Sequence, residues 1–390
     1  MAPAGAPQSA SAGQVAPAAI LRCTSGIYDL AFAGPTHLLS GSTTGDVSLW
    51  DLDDRRVAAT WGAADTSVLS VHGLDRGRAC LSQAKEGRLK LWDVQSRSLQ
   101  WSATTDSCSF ARALVLPAGG VHPLDAEPAA CAVCSPLAEP HELGVFDIRS
   151  AGARCSLKLA ESAAPQKSGL QAASVGASPL GMCMALCSVP ALGDSYVLAA
   201  YESTDCCVWD LRSPQEPALP SVLAGEPGSP AICAAVLWRH IWVACADGNI
   251  YVLRVKRQGQ LQREPKSVQV APAAHMQQDG VGGDGSGWQT EKRGANVLAV
   301  RPDLRLVAAA RWDRRIELFD AKTSSSLGRL QCHDGGVLCA AFERERGVFA
   351  TGSEDGHIAL WDTLSSTYAG PCAAAGAAGR TETLESQAQR

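Results

Sequence analysis

Residues 347 to 362 read GVFATGSEDGHIALWD. Val348, Phe349 and Ala350 suit a buried strand, Glu354-Asp355-Gly356 forms a tight reversal, and His357-Ile358-Ala359-Leu360-Trp361 resumes as a second strand with alternating character. The same kind of ending occurs six more times upstream. Going backward, these endings are Ile316-Glu317-Leu318-Phe319-Asp320, Ile250-Tyr251-Val252-Leu253-Arg254, Cys207-Val208-Trp209-Asp210, Gly144-Val145-Phe146-Asp147, Leu89-Lys90-Leu91-Trp92-Asp93 and Val47-Ser48-Leu49-Trp50-Asp51. From one final acidic position, or its equivalent, to the next, the intervals are 42, 54, 63, 44, 66 and 42 residues, which gives seven units.

The 347 to 362 stretch resembles the end of a WD repeat, a family whose units recur about every 40–45 residues. The resemblance implies an all-β fold, a seven-bladed WD-repeat β-propeller. In that family a turn Asp, a strand Ser or Thr, an indole N–H and an upstream His form a hydrogen-bonded tetrad within a blade. Asp355, Thr351, Trp361 and His333 stand at those positions here. A buried polar network costs little only when every member is satisfied, so a complete set points to structure rather than chemistry. No nucleophile stands at a matching position beside the His-Asp pair. The other units are degenerate: Thr44 replaces the turn Asp and Cys23 the His in blade one, Glu86 takes the turn in blade two, Ser203 in blade four, and blade five lacks the closing Trp. Only Asp247, Asp313 and Asp355 keep the turn carboxylate, and blades three and four have the least defined boundaries.

The long intervals coincide with Gly-, Pro-, Ala- or Ser-rich inserts near residues 117 to 140, 160 to 179 and 276 to 294, each expected to leave the strand framework as a loop. The last has neither the spacing of a phosphate-binding loop nor the acidic ladder of a calcium loop. A ring of sheets must close or expose its edges. Residues 14 to 22, QVAPAAILR, resemble the strand that completes the last blade in WD-repeat proteins. Deleting them is therefore expected to destabilise the domain more than deleting the tail. The expected organisation is a disordered segment over 1 to 13, one propeller over 14 to 364, and a disordered Ala/Gly-rich and then polar tail over 365 to 390.

A formal charge of −5 gives no global basic footprint and argues against direct nucleic-acid binding as the main role. Arg254, Lys256, Arg257, Arg263 and Lys266 form a local cationic run, read either as a solvated outer strand or as a patch for an acidic partner or import receptor. The 15 cysteines are scattered and odd in number, without a secretory signal, and fit small buried hydrophobes. Cys131 and Cys134 make a lone CxxC, Cys183 and Cys187 lack partners at zinc spacing, and neighbouring Cys206 and Cys207 face opposite ways in a strand, so neither a metal site nor a disulfide is expected. No apolar run nears the roughly 18 residues that a membrane span needs. No nucleophile elbow, metal spacing or phosphate loop is present, so the expectation is no enzyme and no cofactor, located in the nucleus, the cytoplasm or both.

Residues 300 to 320, VRPDLRLVAAARWDRRIELFD, place a Trp-Asp pair, Trp312-Asp313, in the hairpin turn while the strand ends on Phe319-Asp320. This arrangement resembles the sixth-blade region of the guanine nucleotide-binding protein subunit beta-like protein 1 family, whose fungal relatives are called ASTRA-associated protein 1. Residues 196 to 210, YVLAAYESTDCCVWD, are similar to the same family's fourth blade, with Tyr201-Glu202 in the turn. The resemblance implies a non-enzymatic adaptor in an ASTRA-like chromatin-remodelling and phosphatidylinositol-3-kinase-related kinase maturation assembly. Its partners would be helical-repeat co-chaperones or chromatin-complex subunits.

A heterotrimeric G-protein β subunit is the poorer match, because residues 1 to 13 lack the heptads that pair with a γ chain. A third possibility is a substrate receptor of a cullin-RING ubiquitin ligase, since Trp209-Asp210-Leu211-Arg212 has the W-D-x-R form and Phe146-Asp147-Ile148-Arg149 a weaker version of it. Partner contacts are expected at the turns between second and third strands. The candidates are Tyr201 and Glu202 in blade four, Arg311, Trp312, Arg314 and Arg315 in blade six, and Glu354 in blade seven, because Trp and Arg dominate interface hot spots.

Overall fold

The computed structural model describes residues 15–150, 153–157, 180–257, 259–265, 267–268 and 294–363. Its strands in chain order are β1 (Ala19–Arg22), then β2 (Ile27–Phe32), β3 (His37–Ser42), β4 (Asp46–Asp51) and β5 (Arg56–Gly62) of blade one. Blade two holds β6 (Val68–Leu74), β7 (Ala79–Ala84), β8 (Arg88–Asp93) and β9 (Leu99–Thr104), and blade three β10 (Leu114–Pro117), β11 (Cys131–Pro136), β12 (Leu143–Asp147) and β13 (Ala153–Leu157). Blade four holds β14 (Cys183–Ser188), β15 (Tyr196–Tyr201), β16 (Asp205–Asp210) and β17 (Leu219–Leu223), and blade five β18 (Ala231–Leu237), β19 (His240–Cys245), β20 (Ile250–Val255) and β21 (Leu261–Arg263). Blade six holds β22 (Ala295–Val300), β23 (Leu306–Arg311), β24 (Ile316–Asp320) and β25 (Ser326–Leu330), and blade seven β26 (Val337–Phe342), β27 (Val348–Ser353) and β28 (His357–Asp362).

These strands make seven four-stranded antiparallel sheets, and in blade seven the fourth strand is β1. Ala19 pairs with Leu360 and Arg22 with His357, so the ring closes through the start of the chain. Each of the seven endings read from the sequence lies in a third strand, from β4 to β28. Both faces of these sheets are covered by neighbouring blades, so the third strands are apolar on both sides; in β16, Cys206, Cys207, Val208 and Trp209 are all buried. Seven apolar clusters result, one at each junction between blades. Trp242 of blade five meets Phe319 of blade six edge to face, 6.0 Å between ring centres.

The innermost strands of six blades carry a register shift near their start, as at Ile27/Asp29 and Val337/Cys339. A bulge leaves one residue out of the ladder and tightens the twist. Arg112, on the link into blade three, donates to two of those bulged carbonyls, Leu338 at 2.9 Å and Tyr28 at 3.3 Å, and meets the Asp29 carboxylate at 3.3 Å.

One expected boundary changes. The insert placed over 117 to 140 contains β11, the second strand of blade three, because Cys131, Val133 and Cys134 carry the apolar pattern of a buried strand despite the Ala/Pro-rich flanks. The loop proper is residues 118 to 130, built on three short 3-10 turns. Most of the 276 to 294 insert, the 160 to 179 insert, residues 1 to 14 and the tail lie outside the described residues.

Candidate interaction surfaces

A propeller has two faces. The upper one carries the turns between second and third strands with the links between blades, and the lower one carries the first-to-second and third-to-fourth turns.

On the upper face, the blade-seven tetrad is a continuous chain of hydrogen bonds. Trp361 Nε1 meets Thr351 Oγ1 at 3.1 Å, Thr351 Oγ1 meets His333 Nε2 at 2.9 Å, and His333 Nδ1 meets Asp355 Oδ2 at 3.3 Å. A carboxylate can only accept, so Nδ1 carries the proton, Nε2 accepts from the Thr351 hydroxyl, and that oxygen accepts from the indole. Burial pushes the His333 pKa down, against the pull of Asp355. Burial also acts to raise the Asp355 pKa, but the backbone N–H groups of His357 and Asp334 outweigh it and leave the carboxyl lowered. The network holds a neutral imidazole and a charged carboxylate, both committed to the fold.

The remaining candidates divide. Tyr201 is the last residue of β15 rather than part of the turn; it is 0% exposed and its hydroxyl donates to the His141 carbonyl at 3.3 Å. Arg311 likewise ends β23, is 5% exposed, and pairs with Asp313 at 3.2 Å and Glu317 at 3.4 Å. Both are thus corrected from partner-binding to structural residues, since each hairpin turn begins one residue later than the sequence suggested. Glu202 is half-buried and accepts the Met182 N–H at 2.8 Å. Trp312 is half-buried as well: its ring lies on Gly294, where a side chain would collide with it, and Nε1 donates to Asn296 Oδ1 at 2.8 Å. Arg315 is half-buried, whereas Arg314 and Glu354 are exposed. Of the cationic run, Arg254 pairs with Glu264 at 3.7 Å, Arg263 pairs with Glu226 at 2.9 Å and covers the Tyr251 ring, and Lys266 lies outside the described residues.

Three clefts among the described residues open on the lower face. A cleft of ≈ 500 Å³ separates blades three and four and is lined by Asp147, Arg149, Asp194, Leu211 and Arg212. Both D-x-R sequences therefore face one opening. In each, the carboxylate is gripped by the arginine two residues on, Asp147 by Arg149 at 2.6 Å and Asp210 by Arg212 at 2.8 Å, with both arginine side chains 67% exposed. The Arg212 hydrogen bond holds the Asp210 carboxyl down at about 2. Arg212 also stacks over Tyr196, while Trp209 is fully buried beneath and presents no surface.

A second cleft, ≈ 310 Å³, opens at the lower mouth of the channel. The blade-three loop crosses this mouth, and Asp125 is clamped to Arg344 of blade seven at 2.6 Å. A third, ≈ 440 Å³, lies between blades five and six beside Trp238 and Leu304. Neither of these two residues was singled out from the sequence: the Trp238 turn has no Gly, Asn or Asp to mark it, and in the Leu304 turn Pro302 and Asp303 are the turn-forming residues, so Leu304 itself carries no signal.

The WD domain, G-beta repeat family matches residues 324 to 362, which span the tetrad and the two strands it joins. The chain is a WD-repeat β-propeller. This WD-repeat protein is 25% identical to guanine nucleotide-binding protein subunit beta-like protein 1 of Mus musculus over 345 residues, 84% of this chain and 88% of the mouse protein. It is 24% identical to ASTRA-associated protein 1 of Verticillium alfalfae over 403 residues, covering 86% of this chain and 89% of the fungal protein. A shorter match, 32% identity over 80 residues, is to the Denticleless protein homolog of Danio rerio, covering 20% of this chain and 12% of that protein. Similarity to the first two therefore runs through most of the blades, and the third covers about two of them.

Proposed function

We propose that this WD-repeat protein is a non-enzymatic interaction scaffold in an ASTRA-like assembly that serves chromatin remodelling and the maturation of phosphatidylinositol-3-kinase-related kinases, acting in the nucleus, the cytoplasm or both. The observation that carries the reading is the similarity to ASTRA-associated protein 1, which extends over 86% of the chain rather than over a generic repeat. The geometry supports a scaffold: the His-Asp pair most like a catalytic one is consumed by the blade-seven tetrad. Helical-repeat co-chaperones or chromatin-complex subunits are the partners this reading assigns. Affinity purification of the intact chain followed by mass spectrometry tests it. Recovery of kinase-maturation co-chaperones supports the reading, and a partner set without them overturns it.

One observation favours a second reading, substrate receptor of a cullin-RING ubiquitin ligase. Arg149 and Arg212 stand exposed beside a single cleft, each fixed by its own aspartate. The same purification decides between the two, since recovery of a cullin adaptor that is lost from Arg149→Glu/Arg212→Glu would favour the receptor.

A further inference from the structure

Trp238 is 57% exposed, and Leu304 is 45% exposed. Both hold left-handed backbone, φ 57° and 58°, and Ser324 beside them has φ 58°. Bulky side chains are disfavoured there, and such strain gathers at binding sites. Trp238 sits in the turn between β18 and β19, Leu304 in the turn between β22 and β23, and together they flank the ≈ 440 Å³ cleft between blades five and six. That volume falls in the range of ligand pockets, roughly 300–1,000 Å³. Its floor is rigid and apolar: Leu237, Trp242 and Val252 are buried, and Trp242 is braced by Phe319 of the next blade.

The rim is cationic in a chain whose formal charge is −5. Three carboxylates lie nearby: Glu264, which lines the cleft, pairs with Arg254 at 3.7 Å, Asp303 pairs with Arg301 at 2.8 Å, and Asp320 interacts with Lys322. Arg239, Arg254, Arg301, Arg305 and Lys322 outnumber these carboxylates and leave the surroundings of the apolar slot net positive, with Arg254 and Lys322 lining it and Arg239 and Arg305 next to Trp238 and Leu304 in the chain. A Trp beside arginines in a preformed depression is the composition of an interface hot spot.

We infer that this cleft docks an acidic segment of a partner protein, which inserts one large apolar side chain between Trp238 and Leu304 while its carboxylates meet Lys322, Arg305 and Arg239. The inference rests on the scaffold reading but adds a site and a partner chemistry to it. It places the docking surface on the lower face, away from the turns around Trp312.

The test uses Trp238→Asn/Leu304→Asn. Asn tolerates left-handed backbone, so the variant is expected to unfold at a denaturant concentration no lower than the parent. A random peptide library displayed on phage is selected on the full chain, and enriched peptides are titrated against the parent, this variant and Lys322→Glu/Arg305→Glu. The expected result is enrichment of acidic peptides with a single large apolar anchor, whose binding weakens at least tenfold in both variants and at high salt. Enriched peptides that lack acidic character, or that bind both variants as tightly as the parent, overturn the inference. In parallel, partners that co-purify equally with parent and Asn variant would sink the cleft and leave the scaffold standing. A parent that recovers no protein partner would sink the scaffold itself.

Discussion

Asp29 and Arg112 meet inside the central channel at 3.3 Å, and between them they touch four blades. Asp29 Oδ2 accepts the Val71 N–H of blade two at 2.9 Å, while Arg112, leading into blade three, reaches the Leu338 carbonyl of blade seven at 2.9 Å. Removing one partner of a buried pair strands the other charge. Asp29→Ala is expected to lower the unfolding free energy by roughly 3 kcal/mol, the lower end of the usual range because Arg112 keeps some contact with solvent. Urea unfolding measures this; an unchanged midpoint would show the pair to be incidental.

Blade four contains an unmet donor. In blades one, two and seven the closing Trp donates to a hydroxyl on the neighbouring strand: Trp50 to Ser40 at 2.9 Å, Trp92 to Ser82 at 2.9 Å and Trp361 to Thr351 at 3.1 Å. Trp209 has Ala199 at that place, and its Nε1 is buried without a hydrogen bond, although the Tyr201 hydroxyl is nearby. Ala199→Ser is expected to stabilise the protein by about 1 kcal/mol, and Ser82→Ala to destabilise it by a similar amount. Equal and unfavourable effects of both would contradict this account. Blade three has the converse fault, since Ser135 is buried without a partner and faces a blade closed by Phe146.

Stability should fall on mild acidification. Burial lowers the pKa values of His72 and His333 below the ordinary 6.5. The unfolded chain therefore binds protons that the folded one refuses, and the slope of stability with pH is positive there. The neutral-imidazole contribution is fully present above about pH 7 and declines as pH drops below the unfolded value near 6.5. Denaturant midpoints collected across this window should drop, and His72→Gln should flatten the fall. A parent curve that is already flat would refute the burial argument.

Thiol chemistry should be selective. Burial pushes the Cys80 and Cys134 thiols up to about 12, and Cys206 lies fully buried, whereas Cys108 is exposed on the link into blade three. Brief iodoacetamide treatment with peptide-resolved mass spectrometry should alkylate Cys108 ahead of Cys80, Cys134 and Cys206. Comparable labelling of all four would mean that the blades open readily in the native state.

The architecture was legible because each third strand carries its own ending, so that even the degenerate Ile250 to Arg254 stretch announced β20. The surfaces were less legible. Tyr201 and Arg311 looked like turn residues because polar or aromatic side chains at a strand end give no sign of which side of the reversal they occupy; one residue's difference buries them. Trp238 and Leu304 escaped notice for another reason. Left-handed backbone is normally advertised by glycine or asparagine, and here it is imposed on residues that would not choose it.

The pairing of Arg22 with His357 also has a consequence in time. During synthesis His357 follows Arg22 by more than three hundred residues, and at about 5–20 residues per second the wait is roughly 20–70 s. Throughout that interval the first strand is a loose thread beside an incomplete ring, with the open flank of blade one available to any passing edge. A nascent chain of this kind is a natural client for whatever holds it until its final strand emerges, so a protein proposed to assist the maturation of others would itself be slow to mature.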